Sequence, residues 1–155
     1  MEKVLLDTSF ILSAVRNKID IFEELLGYQI IIPKQVLIEL NGIAKTKTEA
    51  KIALKIIEKN KFKMIDLKTK NTDKGIKKYA RSDKNLIIAT LDDEIKKSVR
   101  NRKIVIRGKR KIEIVWLIIN YWENCDEYNL SYGDLEIEKL GFCLLNSWNQ
   151  ILNWE

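Results

Sequence analysis

Short, continuously apolar segments alternate with longer amphipathic segments along most of this chain. Each apolar segment is too short for a buried helix and lacks polar alternation, which is typical of a strand buried on both faces. Strands that alternate with helices predict a mainly parallel sheet covered by helices on both sides. The predicted strands span residues 4–6, 29–32, 63–67, 85–91, 103–107 and 112–115.

The segments between these strands repeat apolar residues at helical spacing and carry helix-boundary signals. The side-chain oxygens of Asp7, Thr8 and Ser9 can accept the free backbone N–H groups of a first helix. Gly27 suits the end of a second helix, and Pro33 suits the turn that opens a third. The predicted helices begin near residue 10 and then span residues 19–26, 34–44, 48–60, 72–81 and 92–100. The fold class is therefore α/β, in which ligands bind beyond the carboxyl ends of the strands.

The last forty residues differ in composition from the rest of the chain. They contain all four tryptophans and three of the five tyrosines, together with seven acidic residues and one lysine, a net charge of −6. Because the whole chain carries +6, residues 1–115 carry +12. We divide the chain into an α/β domain, 1–115, and an acidic, aromatic extension, 116–155. So many aromatic side chains should pack on the domain or on a second subunit, and the latter would make a homodimer.

The chain contains no histidine, which excludes a Ser-His-Asp triad and histidine-ligated zinc. Cys125 and Cys143 have no metal-ligand spacing and are too few for a disulfide framework. No apolar run approaches the ~20 residues that span a bilayer, and the apolar start is too short for a signal peptide. We therefore expect a soluble cytoplasmic protein without a membrane partner. A hydrolase built from these residues would use carboxylates and a hard metal ion.

Four acidic residues occupy positions where a carboxylate is unusual. Asp7 and Asp92 follow predicted strands, at the end of the sheet where ligands bind. Glu39 and Asp73 border the faces of predicted helices that should be apolar, where an unpaired charge is costly. We expect the four to converge, with Glu94 as a further member. Oxygen ligands select Mg²⁺ or Mn²⁺, and such an ion can activate water and hold a phosphodiester.

Each of these acidic residues also has an ordinary structural interpretation. Asp7 and Asp73 are suited to cap helices, and Asp92 is suited to cap the helix that follows it. Glu39 is suited to an ion pair with a lysine, and Glu94 to a solvated first helical turn. The shared placement of four acids at one predicted edge favours the metal site.

Four sequence motifs occur in order over about residues 3–113: LLDTSFIL, IIIPKQVLIELNGI, TDKGIKKYA and IIATLDDEIKKSVR, the last followed by KIVIRGKRKI. Together these motifs resemble a PIN-domain nuclease. The resemblance implies a compact α/β/α sandwich and Mg²⁺- or Mn²⁺-dependent hydrolysis of single-stranded or structured RNA. It maps the catalytic and metal-binding acids onto Asp7, Glu39, Asp73 and Asp92. It maps the supporting hydroxyl groups onto Thr8 or Ser9, and Thr90.

The leading hypothesis is therefore a metal-dependent endoribonuclease. ATLDDEIKKSVR and VIRGKRKI resemble most the archaeal branch related to ribosomal-RNA processing, which implies structured or ribosomal RNA as substrate. PIN toxins share the same core, so a toxin ribonuclease with an antitoxin partner is one alternative. A module that binds RNA or a ribosome-assembly partner without cutting is another.

A phospho-receiver domain is a further alternative, with Asp66, Thr90 and Lys109 as its functional residues. That fold needs two adjacent acids after its first strand, and LLDTS offers one. It also leaves Glu39 and Asp73 without a role. We therefore favour the nuclease hypothesis.

The strongly basic body of the chain indicates a polyanionic partner, and nucleic acid is the first candidate. Basic residues concentrate in segment 96–111 around Gly108, where a hairpin can bind phosphates without reading sequence. A solvated surface turn is the alternative. The predicted RNA-binding residues are Lys96, Lys97, Arg100, Arg107, Lys109 and Arg110.

Overall fold

The computed structural model of the protein describes residues 1–108 and 111–115. This part of the chain forms one six-stranded sheet and six helices. In chain order, the elements are β1 (Lys3–Leu6), α1 (Thr8–Arg16), α2 (Ile21–Glu24), β2 (Gln29–Pro33), α3 (Lys34–Ala44), α4 (Thr48–Lys59), β3 (Lys63–Ile65), α5 (Thr72–Ser82), β4 (Ile87–Ala89), α6 (Asp93–Ser98), β5 (Lys103–Arg107) and β6 (Lys111–Val115).

The strands lie in the order β3-β2-β1-β4-β5-β6. Strands β1 to β5 are parallel to one another, and β6 pairs antiparallel with β5. Strands β2 and β3 are added in turn on one side of β1, and the chain then crosses over so that β4 pairs with the other side of β1. This reversal creates a crevice at the carboxyl ends of β1 and β4, the usual ligand site of an open α/β sheet. The predicted α/β class with a mainly parallel sheet is confirmed.

Both faces of the sheet are buried, which explains why its strands read as continuous apolar runs. Leu5, Ile31 and Ile88 face a cluster built with α5 and α6, including Ile76 and Ile95. The alternate strand residues face a larger cluster covered by α1, α3 and α4. The result is the α/β/α sandwich that the motifs implied.

Several elements are shorter in the structure than in the sequence prediction, including β3, α6, α2 and β4, and the last two show why. The helix expected over 19–26 is limited to α2, because Asp20 accepts the backbone N–H groups of Phe22 and Glu23 at 3.0 and 3.2 Å and so sets its start. The strand expected over 85–91 is limited to β4. Beyond it the backbone N–H of Leu91 donates to Ser9 Oγ at 3.0 Å, so a side chain takes a group that a longer strand would use for pairing.

The predicted acidic, aromatic extension and its packing or homodimer contacts lie outside the described residues, as do Lys109 and Arg110. Within the described ranges, no helix combines the length and apolar character needed to cross a membrane.

Candidate active site

Asp7 directly follows β1 and is 5% exposed, so its carboxylate needs hydrogen-bond partners. One oxygen accepts the backbone N–H of Thr8 at 2.8 Å, which makes Asp7 the N-cap of α1. The other oxygen accepts the hydroxyls of Ser9 and Thr90, each at 2.7 Å. The capping role and the placement at the strand end therefore occur together, and the three bonds fix the orientation of the carboxylate.

Ser9 and Thr90 join the end of β1 to the loop that follows β4. Thr90 Oγ1 donates to Asp7 and accepts the backbone N–H of Asp92 at 3.1 Å. Ser9 Oγ donates to Asp7 and accepts the backbone N–H of Leu91 at 3.0 Å. These two hydroxyls thus hold the loop that carries Asp92 beside Asp7.

Glu39 projects from α3 and is exposed. Its Oε2 accepts the hydroxyl of the buried Thr8 at 2.8 Å, although the two residues are 31 positions apart. The ion pair with a lysine that we considered for Glu39 is not found among the described residues. Thr8 is the first residue of α1 and follows Asp7 directly, so this hydrogen bond holds Glu39 close to Asp7.

Asp92 is the N-cap of α6, as its ordinary interpretation predicted. One of its oxygens accepts the backbone N–H groups of Glu94 and Ile95 at 2.7 and 3.2 Å. A cap uses one carboxylate oxygen, so this role leaves the second oxygen available for a ligand. Glu94 points into solvent and forms an ion pair with Lys77 of α5.

Asp73 lies in the first turn of α5 but does not cap it. Asn71 is the N-cap and accepts the backbone N–H of Lys74 at 2.9 Å. Asp73 is exposed, but neighbouring protein atoms partly desolvate its carboxyl group and raise its pKa above its ordinary value, and the negative charges of Asp7 and Asp92 raise it further. The Asp73 carboxylate is therefore electrostatically coupled to the acids that follow β1 and β4.

Lys77 is a site residue that the sequence prediction missed. It pairs with Glu94, and its charge opposes the rise in the pKa of Asp73. The only sequence signal was its position four residues after Asp73, one helical turn away on the same face. Lys77 therefore places a positive charge between the acids of α5 and α6.

The family of this chain is decided by a sequence model described as a PIN-like domain, which matches residues 4–111. The chain belongs to the PIN-domain family. The resemblance in the motifs is thus confirmed, and with it membership of a family of nucleases.

This chain is similar to a ribonuclease and to two solved structures. Ribonuclease VapC4 of Methanocaldococcus jannaschii is 26% identical over 131 residues, which cover 76% of this chain and all of that protein. The structure of the PIN domain endonuclease Utp24 superposes with a TM-score of 0.64 at 26% identity, covering 74% of this chain and 92% of that one. The structure of VapBC2 from Rickettsia felis bound to a promoter DNA fragment gives a TM-score of 0.43 at 17% identity, covering 65% and 98%.

PIN-domain nucleases generally use divalent metal ions, and the donors in this PIN domain suit such an ion. All four predicted ligands are carboxylates, the ligand type that hard cations prefer. The like charges that raise the pKa of Asp73 would be offset by a bound cation. Among the described residues, however, no three Asp, Glu or Cys side chains are close enough together to hold an ion. Ion binding would require these side chains to move closer, so their convergence on one metal stays a prediction.

The predicted basic segment 96–111 does not form a uniform surface in the PIN domain. Lys97 and Arg100 are exposed as expected. Lys96, however, donates to Asp93 at 3.0 Å, and Arg107 pairs with Glu113 at 2.7 Å. The side chains of this segment therefore differ in how freely they can contact a phosphate.

Lys103, inside the same segment, is fully buried and donates to the carbonyl oxygen of Val99. Burial lowers the pKa of its ammonium group. Lys103 is not one of the six predicted RNA-binding residues, and its buried side chain cannot reach RNA.

The phospho-receiver alternative does not fit the topology. Asp66 follows β3 and Thr90 follows β4, and these strands are separated by β2 and β1. Asp66 is exposed and accepts the side-chain amide of Gln35 and the backbone N–H of Lys68, both at 2.8 Å. Asp66 therefore lies in the loop after the edge strand β3 and not in the crevice beside β1.

The raised pKa of Asp73 gives a pH dependence that can be measured without metal. A carboxyl with a raised pKa binds its proton more tightly in the folded state, so its ionisation destabilises the fold as pH rises. In EDTA, Asp73→Asn should raise the free energy of unfolding at pH 7. That gain should disappear as the pH falls through the raised pKa toward the ordinary value of 3.8. Urea unfolding between pH 3.5 and about 8 measures it.

Asp83→Asn is the matched control, because the pKa of Asp83 is lowered by a hydrogen bond from Lys3. Its carboxylate stabilises the fold when ionised, so this variant should lose stability at pH 7, and the loss should vanish at low pH. If Asp73→Asn is less stable than wild type at pH 7, the carboxylates do not repel one another.

Proposed function

We propose that this chain is an Mg²⁺- or Mn²⁺-dependent endoribonuclease whose metal ligands and catalytic acids are Asp7, Glu39, Asp73 and Asp92. The observation that carries the proposal is the hydrogen-bond network at the crevice, in which Ser9 and Thr90 bind Asp7 and the loop that leads to Asp92, and Thr8 binds Glu39. The raised pKa of Asp73, to which the charges of Asp7 and Asp92 contribute, supports it. Carboxylates with perturbed pKa values in a cleft are typical of catalytic sites.

When bound, a divalent ion supplies an activated water and stabilises charge on the phosphodiester. The side chains of the protein supply the positioning. Ser9 and Thr90 hold Asp7 in one orientation, and Thr8 does the same for Glu39. Such supporting hydrogen bonds keep ligating carboxylates aimed at a common point.

RNA is the proposed substrate, because the relatives include a protein named as a ribonuclease that aligns over its full length. We place the activity in ribosomal-RNA processing in the cytoplasm, on the strength of the ATLDDEIKKSVR and VIRGKRKI motifs. The same ribonuclease relative favours a second candidate function, a toxin ribonuclease that is held inactive by an antitoxin.

The test is cleavage of a circular single-stranded RNA and of a structured ribosomal-RNA precursor. Only an endonuclease opens a circle, so linear product with Mn²⁺ or Mg²⁺ and none with EDTA is the expected result. Intact circles under all metal conditions would refute the proposed activity.

Experiments in cells distinguish ribosomal-RNA processing from a toxin role. A processing enzyme should cut the precursor at a defined position and be tolerated when expressed. A toxin should arrest growth on expression, and the product of an adjacent gene should relieve that arrest.

A further inference from the structure

A cleft of about 600 Å³ opens between the first half of α3 and the loop that joins β3 to α5. Its walls include Lys34, Gln35, Ile38, Glu39, Lys70 and Asp73. Two of the four proposed catalytic acids, Glu39 and Asp73, therefore line it. The volume lies within the ~300–1,000 Å³ typical of ligand clefts. A chain held in this cleft would lead directly to the catalytic acids.

Two lysines on this cleft carry charges that are not used in ion pairs. Lys34 and Lys70 are exposed, and neither has an acidic partner within 4.0 Å among the described residues. Asp66, also on the cleft, is occupied by Gln35 and the backbone N–H of Lys68, although it remains within electrostatic reach of Lys34. Lys34 and Lys70 are thus better placed to contact a phosphate than Lys96, which is paired with Asp93.

The wall that carries Lys70 is held in place by Gln35. The side-chain amide of Gln35 donates to Asp66 at 2.8 Å and to the carbonyl of Thr69 at 3.3 Å. Its oxygen accepts the backbone N–H of Leu67 at 3.3 Å. These three bonds dock the loop on α3.

Gly75 completes this wall from the side of α5. A Cβ at this position would lie 2.6 Å from Thr69 Cγ2 and 2.8 Å from Leu67 Cβ. Only glycine therefore lets the loop lie this close to the helix. A cleft formed in advance binds with less loss of conformational entropy than one that must be assembled.

We propose that this cleft binds an unpaired RNA segment adjacent to the phosphate that is cut, an inference that rests on the proposed nuclease function. Lys34 and Lys70 contact backbone phosphates, and Ile38, which is 61% exposed, contacts a base or ribose. An unpaired strand offers its bases to such an apolar wall, whereas a duplex keeps them stacked inside. Phosphate contacts carry no sequence information, so this cleft adds affinity rather than base selection.

The test compares Lys34→Ala/Lys70→Ala with Lys51→Ala/Lys55→Ala, which removes the same charge from exposed positions on α4. Both pairs are made in the Asp7→Asn background, and binding of a fluorescent unpaired oligoribonucleotide is followed by anisotropy from 50 to 300 mM salt. Each single-strand phosphate contact contributes about 0.7 to the slope of log Kobs against log salt. The cleft pair should therefore flatten the slope by about 1.4, and the α4 pair should leave it unchanged.

Equal slopes for the two pairs would overturn the proposal, as would an equal loss of slope with a fully paired RNA of the same sequence. A parallel assay in the otherwise wild-type protein separates this inference from the proposed function. There the cleft pair should raise KM for RNA cleavage with little change in kcat. Cleavage with unchanged KM would leave the nuclease function intact and reject the cleft. Absence of cleavage by the wild-type protein would reject the function itself.

Discussion

Asp7→Asn should lower metal-dependent RNA cleavage by about 10³-fold, a loss typical of removing a catalytic group. Asparagine retains an oxygen for the backbone N–H of Thr8, so the cap of α1 is preserved. Its amide group faces the hydroxyls of Ser9 and Thr90, which can rotate to accept hydrogen bonds. The variant therefore keeps its fold and loses one ligand charge. Initial rates on the circular RNA, together with urea unfolding, measure both effects.

Asp20→Asn is the control for this variant. Asp20 is an exposed N-cap of α2, and asparagine caps a helix about as well as aspartate. It makes the same chemical change away from the crevice and should cleave at the wild-type rate. Wild-type cleavage by Asp7→Asn would instead point to a contaminating nuclease or to a different site.

Thr90→Val should weaken both stability and catalysis, because Thr90 is fully buried and its hydroxyl is used twice. Valine has the same shape but leaves an oxygen of Asp7 with fewer partners and the backbone N–H of Asp92 without one. Leaving such groups unsatisfied costs about 1–3 kcal/mol of unfolding free energy. Loss of a residue that supports a metal ligand typically lowers activity about 10- to 100-fold.

Thr90→Ser separates the hydroxyl from the methyl group. It retains both hydrogen bonds, so it should recover most of the cleavage rate even if the lost methyl group lowers stability slightly. If Thr90→Val and Thr90→Ser lose activity equally, packing rather than hydrogen bonding explains the role of Thr90.

The strands of this fold were predictable because burial on both faces leaves a direct record in the sequence. Ile31 and Ile88 lie in runs with no polar alternation, and both are fully buried. The ends of elements were harder to predict, since they depend on individual side-chain hydrogen bonds. The backbone N–H of Leu91 donates to Ser9 and not to a neighbouring strand, so β4 ends at Ala89. The two residues are 82 positions apart, and no local pattern encodes their contact.

In the candidate site, too, positions set by the strands were predictable and contacts between side chains were not. The positions of Asp7 and Asp92 after β1 and β4 could be predicted because the strand ends of a parallel sheet share one edge. The hydrogen bond from Thr8 to Glu39 and the ion pair of Lys77 with Glu94 arise from the way helices pack, which spacing alone does not show. A run of basic residues likewise does not reveal that the side chain of Lys103 is buried.

The bond between Thr90 and Asp7 joins residues 83 positions apart. A chain that contains only the first three strands carries Asp7 without the Thr90 hydroxyl that orients its carboxylate. The crevice is complete only after β4 has been made and has paired with β1, on the side opposite to β2. On the proposed function, a fragment that ends before Thr90 should therefore fail to cleave RNA, because it lacks the hydroxyl that orients Asp7.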